Sequence, residues 1–193
     1  LPYSQETFGV PGNLCIIGTM NTADRSIALI DTALRRRFSF VEMQPEPELL
    51  QGVFVGESRI DIARLLRTMN KRISVLLNRD HAIGHSYFLP LKDDPSLDKL
   101  ADIFEHRIVP LLQEYFYDDY EKIQLVLGDN QKEDDAARFV VRKADTAELF
   151  GDADLNSAEY YEINRAAFKR EEAYAYFQEP LHNCGAPRFF PGG

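Results

Sequence analysis

The apolar run LCIIGTM, residues 14–20, is the feature that most constrains the fold of this chain. Apolar residues stand at both odd and even positions, so a strand built from the run would be apolar on both faces. Such strands are typical of parallel sheets that are covered on both sides. The run therefore predicts a central strand of an α/β unit, with Cys15 as one of its small buried residues.

A helix and a second strand are predicted directly after this run. Apolar residues recur at helical spacing in residues 27–34, and Asp24 or Ser26 could cap the start of the helix. FSFVEM, residues 38–43, alternates apolar and polar residues as a strand does. The resulting strand–helix–strand unit is too small to be a stable domain alone.

Polar and basic side chains stand near the ends of the predicted helix. Asn21 would lie beyond the carboxyl end of the first strand, where open parallel sheets bind ligands. Its uncharged amide could orient a water or a phosphate oxygen, but Asn21 and Asp24 could equally be turn and cap residues. Arg35, Arg36 and Arg37 could bind phosphate or could simply complement the helix dipole. Both interpretations stay open on spacing alone.

The middle of the chain predicts a small helical bundle. Three apolar stripes at helical spacing occupy residues 62–76, 97–104 and 108–116, and residues 120–127 predict a short fourth helix. Ser58 and Asp61 have the spacing of a capping box before the first helix. Pro110 is tolerable because it falls in the first turn of the third helix.

The end of the chain predicts a different kind of structure. DNQKEDDA, residues 129–136, is expected to be a solvated acidic link. Short strands are predicted within residues 139–143 and 160–163, and a terminal helix in residues 170–177. The tail after that helix is expected to be irregular.

The charge and composition exclude several classes of protein. A net charge of -9 argues against broad binding to nucleic acid or to anionic membranes by this chain alone. No apolar run reaches the length of a membrane-spanning helix, and the first residues lack a signal-peptide pattern. Cys15 and Cys184 are too few for a disulfide framework. We therefore expect a cytoplasmic protein without membrane contacts.

The sequence also lacks the parts of a complete active site. It has no GxxxxGK[ST] loop to hold phosphates, and no apolar strand ends in an acidic pair suited to Mg²⁺. The histidines lack partners at metal-ligand spacing, so no metal site is predicted.

Three segments resemble a known family. NLCIIGTMNTADRSIALIDTALRRRF, residues 13–38, resembles the second half of the AAA+ motor of McrB-type proteins, the GTPase subunits of modified-cytosine restriction systems. IGHSYF, residues 83–88, resembles the lid of that family, and YEIN, residues 161–164, is similar to its C-terminal end. The resemblance is dense over residues 2–47 and patchy to about residue 164. Its most specific part is the pair MNTADRS and ALRRRF.

The resemblance implies an α/β plus α fold, the incomplete C-terminal part of an AAA+ P-loop NTPase core followed by a helical lid. The core part would comprise residues 1–47, with the sensor-1 strand, the arginine-finger helix and the last strand. The lid would comprise residues 48–128. A C-terminal extension with short strands and a terminal helix would comprise residues 129–193.

The resemblance also implies roles for individual residues. Asn21 would be the sensor-1 residue, which positions the attacking water or contacts the γ-phosphate. Arg35 and Arg36 would belong to the arginine-finger region that reaches the nucleotide of a neighbouring subunit. Further residues would bind nucleotide or lie at the subunit boundary: Thr22, Asp24 and Arg25 near the sensor, and Gly84, His85 and Ser86 in the lid.

The implied parent protein is an oligomeric NTPase that uses GTP or ATP with Mg²⁺. It would form a ring of copies of itself, act with a separate McrC-type nuclease subunit, and read DNA through a domain that is not in this chain. Two alternatives stay open. One is an AAA+ ATPase of the MoxR or dynein-related kind that remodels proteins, and the other is a non-catalytic lid or oligomer-interaction module.

We predict that the purified chain does not hydrolyse GTP or ATP. The Walker A and Walker B elements precede the resembling segment in the family, so the phosphate loop and the Mg²⁺ ligands are not in this chain. Phosphate release in the presence of Mg²⁺ measures this directly. Clear turnover of either nucleotide would contradict the prediction.

Overall fold

The computed structural model describes residues 9–20, 36–143 and 160–178. The chain divides into two compact units, Leu1–Phe40 and Val41–Gly193. Among the described residues, every helix and strand lies in the second unit.

In the described part of the second unit, four α-helices stand in sequence between two pairs of short strands. In chain order they are β1 (Phe54–Val55), β2 (Ile60–Asp61), α1 (Ile62–Leu76), α2 (Leu97–Ile103), α3 (Val109–Phe116), α4 (Tyr120–Leu127), β3 (Val140–Lys143) and β4 (Tyr160–Ile163). Strands β1 and β2 form one antiparallel pair, and β3 and β4 form another. A π-helical turn, Phe104–Ile108, joins α2 to α3. The 3-10 helices are Pro47–Leu50, Arg79–His81, His85–Lys92, Asp129–Gln131, Asp135–Ala137, Arg165–Lys169 and Glu171–Phe177.

Helix α1 contributes a continuous buried face to the core. The apolar stripe predicted from the sequence is confirmed, with Ile62, Leu65, Leu66, Met69 and Ile73 almost completely buried. The capping box predicted from Ser58 is wrong, because Ser58 lies in the turn between β1 and β2. Asp61 caps the helix instead, and its carboxylate accepts the Arg64 N–H at 3.0 Å.

The three other helices predicted in the middle of the chain are also confirmed, as α2, α3 and α4. Pro110 falls in the first turn of α3, directly after the π-helical turn Phe104–Ile108. Helix α4 has the predicted bounds and ends at Gly128, whose φ of +75° is left-handed. A Cβ at Gly128 would also lie only 2.8 Å from Nη1 of Arg72, so both the backbone and the space favour glycine there.

An aromatic cluster joins the helical bundle to the C-terminal segment. The ring of Phe104 lies 5.1 Å from that of Tyr174, 5.6 Å from that of Phe139 and 6.4 Å from that of Phe177, measured between centroids. All four side chains are fully buried. Residues on both sides of position 128 therefore share one core, while the predicted division into lid and extension stays a prediction.

The predicted solvated link is wrong at two of its residues. The side chains of Asp129 and Lys132 are 0% and 1% exposed, and Nζ of Lys132 lies 2.7 Å from Oδ1 of Asp129. The carboxylate of Asp129 also accepts the N–H groups of Phe139 at 3.0 Å and Val140 at 2.8 Å. The lysine lies 3.7 Å from the centroid of the Phe139 ring, and its burial lowers its pKa to about 8. This carboxylate therefore fixes the start of β3.

The C-terminal segment also bonds to the turn between β1 and β2. The carboxylate of Glu171 accepts the N–H groups of Glu57 at 2.8 Å and Ser58 at 2.7 Å. Hydrogen bonds from the Ser58 side chain, the Ser58 N–H and the Glu57 N–H hold the pKa of Glu171 below its usual value. Gly56 has φ of +73°, and a Cβ there would overlap the Glu171 carboxylate. The turn therefore requires glycine at this position.

Two strands predicted in the first 45 residues are absent from the structure. Residues 14–20 and 38–43 have extended or irregular backbone without strand pairing. Ile17 is 93% exposed and Met43 is 92% exposed, and Cys15 is exposed rather than buried. A strand needs a neighbouring strand for its N–H and C=O groups. None of the described strands forms a ladder with these runs.

The remaining predictions have mixed outcomes. Strands β3 and β4 lie within the predicted segments and pair in antiparallel register from Val140 with Ile163 to Lys143 with Tyr160. The predicted terminal helix is a 3-10 helix, Glu171–Phe177. The helix predicted in residues 27–34 and the tail after residue 178 lie outside the described residues.

We predict that Asp129→Ala destabilises the protein by about 3–5 kcal/mol, because it leaves Lys132 as an unpaired buried charge and two N–H groups without an acceptor. Chemical denaturation measures the change in the free energy of unfolding. Glu133→Ala is the matched control, since Glu133 is exposed. Equal stabilities of the two variants would contradict the structural role of the pair.

We further predict that the stabilising effect of Glu171 depends on pH. Its pKa is lower in the folded state, so its contribution is complete above the usual value of 4.5 and is lost as the pH falls through the folded pKa. Glu171→Gln should therefore be less stable than the wild type near pH 7 and equally stable at strongly acidic pH. Denaturation midpoints across this range measure the difference, and Glu172→Gln is the exposed neighbouring control. A pH-independent difference would contradict the prediction.

Candidate functional site

The structure describes part of the predicted site. Asn21, Thr22, Asp24, Arg25 and Arg35 lie outside the described residues. Arg36 is exposed in the first unit. Gly84, His85 and Ser86 lie together in the second unit, where Gly84 precedes the 3-10 helix His85–Lys92.

The segment that carries these three residues, here called the 82–86 loop, is fixed to helix α1. The side chain of Asn70 donates from Nδ2 to the carbonyl oxygen of Ile83 at 2.9 Å. Its Oδ1 accepts the N–H of the same residue at 2.7 Å. The side chain of Ile83 is fully buried. One amide side chain thus satisfies both main-chain groups of Ile83, which anchors the loop.

A third hydrogen bond fixes the other end of the loop. Nδ1 of His85 accepts the main-chain N–H of Glu46 at 3.0 Å. An accepting Nδ1 carries no proton, so this geometry assigns the ring proton to Nε2. Ser86 is exposed beside it. The loop can therefore offer an imidazole N–H and a hydroxyl group to a ligand.

A shallow groove lies beside the 82–86 loop. It encloses about 370 Å³ and is here called the basic groove, lined by Gln44, Pro45, Pro47, Arg67, Asn70, Lys71, Ser74, Arg79 and Ala82. Helix α1 supplies positions 67, 70, 71 and 74, which share one helical face. The residues before α1 supply one wall, and the segment after α1 supplies the other.

The charges in the basic groove favour an anion. Arg67 lies 3.4 Å from Glu48 and Arg79 lies 3.2 Å from Glu42, but all four side chains are substantially exposed. Exposed pairs of this kind contribute little to stability, so an anionic ligand could take the place of either glutamate. Lys71 forms no ion pair with another described residue. Arginine and lysine side chains at this spacing suit a carboxylate or a phosphate group.

Buried polar contacts support the start of the loop. The ring of His81 is nearly buried and meets the Tyr115 ring edge-on, with 5.0 Å between centroids. Nδ1 of His81 lies 2.7 Å from Oδ1 of Asn78, which also caps the short helix by accepting the Asp80 N–H at 2.9 Å. Burial raises the pKa of Tyr115. These contacts hold the segment between α1 and the 82–86 loop in place.

The site offers groups for anions rather than for a metal ion. Within the described ranges, no group of three or more His, Cys, Asp or Glu side chains could hold a metal. The loop and the groove instead present guanidinium, ammonium, imidazole and hydroxyl groups. All of these groups are hydrogen-bond donors that suit an anion.

Four residues of this site were not predicted from the sequence. They are Arg67, Asn70, Lys71 and Arg79. A signal for the first three was present, because positions 67, 70 and 71 form a polar face opposite the apolar stripe of α1. Such a face is usually only solvated, and nothing in the periodicity shows that a loop packs beside it.

The comparisons with known proteins agree on one family. Residues 61–124 match the family model described as the α-helical lid domain of McrB. The match begins at the residue that caps α1 and ends within α4. The chain is also 40% identical over 150 residues to the Type IV methyl-directed restriction enzyme EcoKMcrB subunit of Escherichia coli K12. The McrB-type resemblance seen in the sequence is thereby confirmed.

The match to this relative is partial in extent. It covers 67% of this chain and 33% of the relative, so the chain spans about one third of the length of the curated protein. Across the described segments of the chain, no helix is both long and apolar enough to cross a membrane.

Proposed function

We propose, starting from the McrB-type helical lid that residues 61–124 form, that this chain is the C-terminal part of an oligomeric AAA+ NTPase. The complete protein would hydrolyse GTP, or else ATP, to power a complex that restricts DNA containing modified cytosine. The proposal rests on the match of residues 61–124 to the McrB lid. It is supported by the 40% identity to a restriction-enzyme subunit over 150 residues.

The proposed active site combines two regions of the chain with parts of the protein outside it. Asn21 would position the attacking water, and the neighbouring residues Thr22, Asp24 and Arg25 would lie at the nucleotide. Gly84, His85 and Ser86 would approach the nucleotide from the lid. The Mg²⁺ ligands and the phosphate loop would come from outside this chain.

The arginines would complete the site of a neighbouring copy. A guanidinium supplied across a subunit boundary stabilises the negative charge that develops on the transferred phosphoryl group. Arg35 and Arg36 would take this role in a ring of identical subunits. The exposure of Arg36 is compatible with it, because such a residue must be accessible to a neighbour.

The proposed partners follow from the same premise. The relative is named as a subunit of a restriction enzyme, so we propose that this protein acts with a separate McrC-type nuclease subunit in the cytoplasm. DNA would be read by a domain outside this chain. The net charge of -9 supports the proposal that DNA binds outside this chain, because it disfavours DNA binding by these residues themselves.

We predict that at least one of two variants of the full-length protein, Arg35→Ala or Arg36→Ala, loses most of its turnover. Loss of an arginine finger typically costs about 10³-fold or more in the rate constant. Nucleotide binding should be retained, because the finger acts on the neighbour's transition state. Steady-state turnover with GTP and with ATP, beside equilibrium binding, measures both quantities.

Arg37→Ala is the matched control for this experiment, since it removes the same charge from the adjacent position and should retain turnover. Unchanged turnover in all three variants, together with loss of subunit assembly, would contradict the finger role. That result would favour the alternative of a non-catalytic interaction module.

A further inference from the structure

We infer that Asn70 is a positioning residue, which together with the Glu46 N–H holds the 82–86 loop so that Nε2–H of His85 is presented to an anionic group of the nucleotide. The ligand part of this inference rests on the proposed function. The positioning part rests on hydrogen bonds within the second unit.

The first step is the match between Asn70 and the main chain of Ile83. An amide side chain has one donor and one acceptor group, and Ile83 offers one of each, at 2.9 and 2.7 Å. An aspartate at position 70 would keep the acceptor and lose the donor. An alanine would lose both and leave two polar groups of a buried residue unsatisfied. The contact therefore depends on asparagine itself.

The second step is the rigidity of the group that binds His85. Glu46 lies between Pro45 and Pro47. Proline fixes its own φ and restricts the residue before it, so the backbone of Glu46 has little freedom. Its φ of -112° and ψ of 84° lie outside the helical region. The N–H of Glu46 is thus a stiff donor at a defined place.

The third step concerns the free end of the imidazole. Because Nδ1 accepts the Glu46 N–H at 3.0 Å, Nε2 carries the ring proton and is a donor. No described residue forms a further hydrogen bond with His85. The bond at Nδ1 thereby fixes both the tautomer and the orientation of the ring, as an outer partner does for a metal-bound histidine.

The fourth step links the loop to the basic groove. The groove is lined by Pro45 and Pro47 before α1, by Asn70 on α1, and by Ala82 at the start of the loop. These are the segments that the three hydrogen bonds join. An anion held by Lys71 or Arg79 would therefore contact the same segments of the chain that position His85. The loop, the helix and the preceding segment are expected to move together.

The experiment uses variants of the full-length protein and two measurements. Hydrogen exchange of the peptides that contain Glu46 and residues 82–86 reports on the positioning bonds. Steady-state turnover with GTP and with ATP gives KM and kcat separately. Val75→Ala is the control, because Val75 is 78% exposed on α1 and does not line the basic groove.

Asn70→Ala and Asn70→Asp should both increase exchange in residues 82–86, by about tenfold if one net hydrogen bond is lost. They should also raise KM by more than they change kcat. Val75→Ala should change neither quantity. Exchange at the wild-type level in both Asn70 variants would overturn the positioning role.

Two substitutions at His85 separate its two nitrogen atoms. His85→Asn keeps an acceptor near the place of Nδ1 and loses the distal donor, so exchange at Glu46 should stay low while KM rises. His85→Gln keeps a distal donor and loses the proximal acceptor, so exchange at Glu46 should increase. An unchanged KM in His85→Asn would overturn the ligand role of Nε2–H.

The outcomes distinguish this inference from the proposed function. A full-length protein that turned over neither nucleotide would contradict the proposed function and, with it, the ligand role of His85. Exchange in the Asn70 variants would still decide the positioning role, since that measurement needs no nucleotide.

Discussion

The second unit depends on the packing of one aromatic ring. Phe104, in the π-helical turn between α2 and α3, meets Phe88, Phe139, Tyr174 and Phe177 at centroid distances of 5.1 to 6.4 Å. Its partners come from three separate segments of the chain. Edge-on and tilted aromatic contacts add a directional preference to the burial of apolar area. Because Phe88 belongs to the 3-10 helix His85–Lys92, which begins within the 82–86 loop, this cluster also supports the candidate site.

The helices could be predicted from the sequence because each has a periodic apolar face. The stripe in α1 and the bounds of α4 follow from spacing alone. The buried pair of Asp129 and Lys132 could not be predicted, because a short acidic run is normally solvated. Burial of that carboxylate is favourable only because it accepts the N–H groups of Phe139 and Val140 at the start of β3.

The candidate site could be predicted only in part. Gly84, His85 and Ser86 came from the resemblance to a family and not from periodicity. The role of Asn70 has no sequence signature, because a bond from a side chain to a main-chain group 13 residues away depends on the tertiary fold. The strand predicted at residues 14–20 failed for a related reason. Its apolar pattern describes an environment that requires neighbouring strands, and the described residues do not provide them.

The buried aromatic side chains after α4 determine where the cooperative folding unit ends. The family match stops at residue 124, whereas Phe139, Phe168, Tyr174 and Phe177 are fully buried beyond it. A polypeptide ended at residue 124 would expose the apolar surface that these rings cover, which favours aggregation. The cooperative unit is thus larger than the segment that the family model matches, and it is complete only when the chain returns to α1 at Phe177.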